Sequence, residues 1–169
     1  MRRLCCAAMI AAVGGMGAFP SLASTFIRYG IPELVRGADR GAYAGRVLEL
    51  RSSWNTERTM IWTEVTVQAT ENLVGGGGAG RTLVFRVPGG RVGDQWIEME
   101  GAPRFEPGAD VVVFATSWPD GSLMVHGYFL GLSSIRLGAD GRLVLAGGAA
   151  DGMTLDDLRR AVRALGAAR

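Results

Sequence analysis

The chain has 169 residues, with 18 basic and 16 acidic side chains and a formal net charge of +2. The 18 basic residues are all arginine, the one histidine is His126, and the two cysteines are Cys5 and Cys6. No block of like charge is present, so the charge pattern expected of a nucleic-acid-binding protein is missing. Both cysteines lie in an N-terminal stretch that we expect to be removed, so a zinc site would have one histidine and otherwise only carboxylates, which zinc rarely uses. We therefore predict no nucleic-acid partner, no bound metal and no cofactor.

The first 23 residues have the three parts of a secretory signal peptide. Arg2 and Arg3 form a positive start, Leu4 to Phe19 form an apolar stretch, and Ser21 to Ala23 form a small-x-small cleavage site. The apolar stretch is too short and too rich in glycine for a stable membrane span, which needs about 20 apolar residues. We predict cleavage before Ser24, loss of both cysteines, and a mature protein in the periplasm or outside the cell.

Downstream of the signal peptide, the pattern indicates a short helix followed by many short strands. Pro32 suits the first turn of a helix, and Ile31, Leu34 and Val35 recur at helical spacing, which predicts a helix that ends at Gly37. Further along the chain, apolar and polar residues alternate as they do in strands. Strands are predicted at residues 43–53, 59–73, 81–87, 95–100, 110–116, 123–130, 134–137 and 142–145.

The strand at 59–73 carries the clearest alternation. One of its faces holds Ile61, Thr63, Val65, Val67 and Ala69. A strand of this length is expected to coil strongly or to contain a bulge, as strands of small barrels do. Gly75 to Gly78 follow it and are interpreted as a flexible hairpin loop. These strands, with turn-based links and without alternating helices, predict a closed or nearly closed antiparallel barrel.

A C-terminal amphipathic helix is predicted after the last strand. Thr154 is expected to cap this helix, with Asp157 at the capping-box position. Its apolar stripe is expected to consist of Leu155, Leu158, Val162 and Leu165. The predicted division of the chain is a signal peptide at 1–23, a barrel domain with its short N-terminal helix at 24–148, and the C-terminal helix at 149–169.

No catalytic arrangement stands out in the sequence. Ser133, His126 and Asp110 can be combined into a nucleophilic trio, but nothing in their spacing favours that trio over others. Glu98 and Glu100 share a predicted strand face and could flank a glycan, although solvated carboxylates that protect an edge strand are the ordinary explanation. We predict that the protein is not an enzyme.

Aromatic and arginine side chains next to loops are the best candidates for a binding surface. Tryptophans exposed together can grip a protein or a sugar ring, and burial of the same aromatic residues in the core is the competing explanation. The residues that we expect at the barrel rim, and therefore in a binding site, are Trp54, Arg91, Trp96, Arg104 and Phe105.

The stretch from Ile31 to Phe114 also carries a recognisable set of motifs. They lie at Pro32 to Asp39, Gly45 to Val47, Trp54, Thr63 to Val67, Val87 to Gly93 and Gly101 to Gly108. This pattern resembles a set of exported bacterial proteins of unknown function, which is similar to the five-stranded OB barrel of tissue inhibitors of metalloproteinases and of netrin-like modules. The resemblance implies an OB-like barrel. Some bacterial relatives accompany matrixin-type zinc proteases, which implies a protease-linked role.

The inhibitory chemistry of the animal proteins does not transfer to this chain. Those inhibitors chelate the protease zinc through an N-terminal cysteine, whereas the predicted mature chain begins at Ser24 and holds no cysteine. The resemblance therefore assigns no residue to zinc chelation.

Together, these patterns predict a mainly β fold, a small antiparallel OB-like β-barrel with a short N-terminal helix and a C-terminal helix. The predicted function is that of an exported, non-catalytic binding module whose partner is an envelope or extracellular protein. Two alternatives stay open. The first is a protease inhibitor or metalloprotease-associated regulator, and the second is a small hydrolase that uses Glu98, Glu100 or His126.

Overall fold

The computed structural model describes residues 29–74 and 79–166. The predicted signal peptide, its cleavage site and the predicted glycine loop at 75–78 lie outside the described residues. The described chain forms two α-helices, α1 (Ile31–Gly37) and α2 (Leu155–Gly166). Its strands are β1 (Gly41–Trp54), β2 (Ile61–Asn72), β3 (Thr82–Pro88), β4 (Gly90–Val92), β5 (Gln95–Ile97), β6 (Asp110–Ser117), β7 (Leu123–Val125), β8 (Leu132–Leu137) and β9 (Leu143–Ala146).

Five strands close into a small barrel. They follow one another in the order β1, β2, β3, β7 and β6, and β1 completes the circle because it pairs with both β2 and β6. The pairs are antiparallel, except that β3 and β7 run parallel where Phe85 meets Leu123. This closed five-stranded barrel is consistent with an OB-like fold and confirms the predicted fold class. The single parallel pair is the departure from an antiparallel barrel.

The alternation predicted for β2 is confirmed, and it builds the interior of the barrel. The inward face holds the buried residues Ile61, Thr63, Val65, Val67 and Ala69. The register between β1 and β2 shifts twice, once at Ala44/Gly45 and once at Val47/Glu49, which is the irregularity that a long coiled strand requires. The two halves of β1 consequently differ: residues 41–46 pair with β6, and 43–46 also with β2, whereas the later residues pair with β2 alone.

A second core lies on the outer face of the barrel, under α1, α2 and the β8–β9 hairpin. Its centre includes Leu34, Phe114, Leu145, Leu158 and Val162, all nearly or fully buried. The predicted cap of α2 is confirmed, because the Thr154 Oγ1 accepts a hydrogen bond from the Asp157 N–H at 3.1 Å. None of the helices in the described part of the chain combines the length and the apolar character that a membrane crossing requires.

Two predicted strands end several residues earlier in the structure. The strand predicted at 95–100 ends at Ile97. The strand predicted at 123–130 ends at Val125, because Gly127 turns the chain with a φ of +71° into a short 3-10 helix at Tyr128–Gly131. One short strand was not predicted: β4 begins at Gly90 and pairs with β5 to make a two-stranded hairpin of its own.

Candidate binding groove

The β4–β5 hairpin lies over the inner face of β1 and β2, close to where these two strands end. The Thr63 Oγ1 donates a hydrogen bond to the Gly89 carbonyl oxygen at 2.6 Å and lies 2.9 Å from the Ser52 Oγ. A Cβ on Gly90 would lie 2.5 Å from the Ser52 Oγ and closer still to the Thr63 Oγ1. Only glycine therefore lets the hairpin approach this closely.

The hairpin presents an arginine and a tryptophan side by side. Arg91 and Trp96 are directly opposite each other in the β4–β5 pairing, so their side chains project from the same face. The Trp96 side chain is 67 % exposed, the largest exposure of any aromatic residue in the described chain. The Arg91 Nε donates to the Gly93 carbonyl oxygen at 2.9 Å, and no carboxylate of the described chain pairs with it.

A groove of about 550 Å³ separates this hairpin from the body of the barrel. We call it the hairpin groove; its walls are the later part of β1, the hairpin, and the connecting segment 98–106. Apolar side chains line its floor, among them Leu50, Val65, Val87 and Phe105. A volume of this size lies within the range of about 300–1,000 Å³ that is usual for ligand sites.

Four of the five predicted site residues line the hairpin groove. Arg91 and Trp96 lie on the hairpin, and Arg104 lies on the connecting segment, where it forms an exposed ion pair with Glu98. Trp54 does not line the groove; it is half-buried at the end of β1, opposite Ile61. Of the residues expected at the barrel rim, the structure thus brings Arg91, Trp96 and Arg104 together and leaves Trp54 apart.

Phe105 lies in the groove floor, but it belongs mainly to the core. Its side chain is only 8 % exposed and stacks on Phe85 with a ring-centroid distance of 6.3 Å. It thereby closes the end of the barrel from within the segment that connects β5 to β6. A partner in the groove would reach only a small part of this ring.

Sequence reasoning missed the polar wall of the groove. Ser52, Thr63 and Gly89 hold the hairpin in place, and none of them was a candidate. The available signal was Thr63 itself, a hydroxyl residue in an otherwise apolar inward face, because a buried hydroxyl needs a hydrogen-bond partner. The Thr63 hydroxyl therefore predicts a hydrogen-bond partner on a neighbouring segment of the chain.

The trio of Ser133, His126 and Asp110, which the sequence did not favour over others, does not form a hydrogen-bonded set. Asp110 binds Arg46 through two hydrogen bonds of 2.8 Å, and this pairing lowers the pKa of the Asp110 carboxyl. The Ser133 hydroxyl donates to the Gly147 carbonyl oxygen at 2.7 Å. No hydrogen bond connects either residue with the side chain of His126, and the described residues hold no group of three or more potential metal ligands.

Glu98 and Glu100 do not share a strand face, because β5 ends at Ile97 and both residues lie in the segment that follows it. The predicted strand was longer, and it placed both carboxylates on one side. The glycosidase-like arrangement is therefore not supported by the position of these two residues.

His126 packs against the end of α1. Its ring meets the ring of Tyr29 edge-on at 5.4 Å between centroids, and a Cβ on Gly37 would overlap the imidazole. Burial lowers the pKa of His126 below its ordinary value, and the nearby Asp39 carboxylate opposes this effect. His126 is therefore a packing contact between the end of β7 and α1, and within the described part of the chain its side chain makes no hydrogen bond.

We expect the protein to lose stability as the pH falls from about 7.5 to about 5. Because the pKa of His126 is lowered in the folded state, the unfolded chain binds the proton first, and acid favours unfolding. Urea unfolding of the protein and of the variant His126→Gln at both pH values checks this. The free energy of unfolding of the native protein, relative to that of His126→Gln, should be smaller at the lower pH. A difference that stays constant or grows would contradict this expectation.

A comparison with protein-family models finds no matching family, and comparisons with curated proteins and with solved structures find no match. Fold and groove define the class of protein: a small OB-like barrel with an apolar groove beside one end, bordered by an exposed tryptophan and two arginines. Beyond the barrel fold, the similarity to metalloproteinase inhibitors stays a prediction.

Proposed function

We propose that this protein is an exported, non-catalytic binding module that contacts a protein partner through the hairpin groove. Export rests on the signal-peptide pattern of residues 1–23, and the binding role rests on the groove. The partner that fits this localisation is an envelope or extracellular protein.

One observation carries the proposal: Trp96 and Arg91 stand exposed together at the edge of an apolar groove. A single exposed apolar side chain is ordinary on a protein surface and needs no explanation. Here, however, the indole continues the apolar floor, and tryptophan and arginine are the residue types that most often dominate the energy of protein interfaces. The combination supports a contact with a protein surface or segment.

We expect Trp96→Ala to weaken partner binding by about 30-fold, which corresponds to the loss of about 2 kcal/mol at an interface hot spot. The protein and the variant are each immobilised and exposed to the envelope fraction and culture fluid of the source cell. Quantitative mass spectrometry then compares the proteins that each retains. A partner of the groove is retained by the protein and is largely absent from the variant.

Leu137→Ala provides the matched control. Leu137 is 73 % exposed and lies on the β8–β9 hairpin, outside the lining of the groove. Its replacement removes a similarly exposed apolar side chain without touching the groove, so partner retention should not change. Equal retention by all three proteins would contradict the proposal.

The two alternative functions have distinct outcomes. An inhibitor or regulator of a metalloprotease would give saturable inhibition when it is titrated into a matrixin-type zinc protease, and Trp96→Ala would reduce that inhibition. A hydrolase would give a turnover that is abolished by substitution of Glu98, Glu100 or His126. The first alternative is supported only by the resemblance of the sequence pattern to that of metalloproteinase inhibitors.

A further inference from the structure

The later half of β1 has an open edge. Val47 is the last residue that bonds on that side: its N–H donates to the Ala109 carbonyl oxygen at 2.9 Å, and its carbonyl oxygen accepts from the Gly108 N–H at 2.8 Å. From residue 48 to residue 54, β1 pairs with β2 and with no other strand of the described chain. Because alternate residues of an antiparallel strand bond to each side, this edge offers unpaired backbone donors and acceptors.

The segment of β1 with the open edge borders the hairpin groove. Leu50 and Ser52 line the groove, whereas Glu49 and Arg51 alternate with them and so lie on the opposite face. Glu49 and Arg51 form an exposed ion pair of 2.7 Å there. Charged side chains of this kind protect an edge from uncontrolled pairing between sheets. They leave the backbone itself and the groove side accessible.

The groove also carries two charges of opposite sign that no ion pair satisfies. Arg91 lies on the hairpin, and Glu106 lies on the connecting segment. The Glu106 side chain makes no hydrogen bond or ion pair within the described chain, and Arg91 bonds only to a backbone carbonyl. The other two charged residues of the lining, Arg104 and Glu98, neutralise each other. A ligand with one negative and one positive group would complement both charges.

We propose that the groove binds an extended segment of the partner protein, which joins β1 as an added strand and places an acidic side chain beside Arg91 and a basic side chain beside Glu106. This inference rests on the proposed function and specifies its ligand. The added strand satisfies the open backbone edge of β1, and its apolar side chains contact Trp96 and the groove floor. Strand addition of this kind draws affinity from main-chain hydrogen bonds and specificity from alternate side chains.

A random library of linear ten-residue peptides displayed on phage provides the probe. Peptides are selected on the immobilised protein, and the tightest one is synthesised with a single N-methyl group on each backbone nitrogen in turn. We expect methylation at alternate positions to weaken binding by about tenfold or more, since each removes one main-chain hydrogen bond, and the intervening positions to change little.

A charge exchange tests the placement of the side chains. Arg91→Glu should weaken binding of the selected peptide by about tenfold, and replacing the acidic residue of the peptide with arginine should restore it. Glu106→Arg should behave in the same way towards the basic residue of the peptide. Both residues are exposed, so these variants are expected to fold normally, which their thermal unfolding checks.

The outcomes separate this inference from the proposed function. If selected peptides require Trp96 but tolerate every N-methylation, or if the charge exchange restores nothing, the added strand is overturned while the groove remains a binding site. If the selected peptides bind Trp96→Ala as well as they bind the native protein, or if the library yields no binder, both are overturned.

Discussion

Phe105→Ala is expected to lower the free energy of unfolding by about 3–5 kcal/mol, the usual cost of removing a buried aromatic ring. Phe105 closes the end of the barrel and stacks on Phe85, which is fully buried. The segment that carries Phe105 has no helix or strand of its own to fill the space that the ring would leave. Equilibrium unfolding in urea, followed by far-ultraviolet circular dichroism, measures the change.

Phe129→Ala is the matched control, because the same substitution is made at a side chain that is 42 % exposed. We expect it to cost about 1 kcal/mol or less, as substitutions near the surface do. A similar loss of stability in both variants would mean that Phe105 does not close the barrel in the way described.

Gly90→Ala is expected to cost about 2–4 kcal/mol and to displace the β4–β5 hairpin. Gly90 has a φ of +138°, where a side chain strains the backbone, and an added Cβ would overlap the hydroxyl groups of Ser52 and Thr63. Urea unfolding measures the destabilisation. Acrylamide quenching of tryptophan fluorescence is measured for Gly90→Ala and for the same variant with the additional substitution Trp96→Phe. The difference between the two reports the change around Trp96.

Gly93→Ala in the turn of the same hairpin is the control. Gly93 also has a positive φ, of +60°, but nothing lies within 4 Å of the position of an added Cβ. We expect a cost of about 1–2 kcal/mol from the left-handed backbone alone. If both variants lose the same stability, the close approach of Gly90 to Ser52 and Thr63 contributes nothing, and the position of the hairpin has another cause.

Much of the fold could be predicted because its determinants are local. The helix at Ile31–Gly37 has the predicted bounds, the inward face of β2 follows directly from the period-two alternation, and Thr154 caps α2 as its sequence indicates. The parallel contact of Phe85 with Leu123 could not be predicted in this way. It joins two strands that are distant in sequence, and no local pattern specifies which strand lies beside which.

The site was predictable in part for the same reason. The positions of Arg91, Trp96 and Arg104 beside the groove were predictable because loop positions and residue types are visible in the sequence, and their role in binding stays a prediction. Trp54 lies next to a loop as expected, at the end of β1, but outside the lining of the groove. Which residues share a groove depends on where β1 ends relative to the hairpin. The open edge of β1 was not predictable at all, because an unpaired strand edge exists only once the pairing of every neighbouring strand is known.

Photo-crosslinking in the source cell tests the role of the hairpin groove most directly. The photoreactive amino acid p-benzoylphenylalanine is placed at position 96 in one variant and at position 137 in another, and the exported proteins are irradiated in place. We predict a discrete covalent adduct with one protein from position 96 and none from position 137. The same adduct from both positions, or an adduct from position 137 alone, would contradict a partner bound in the groove.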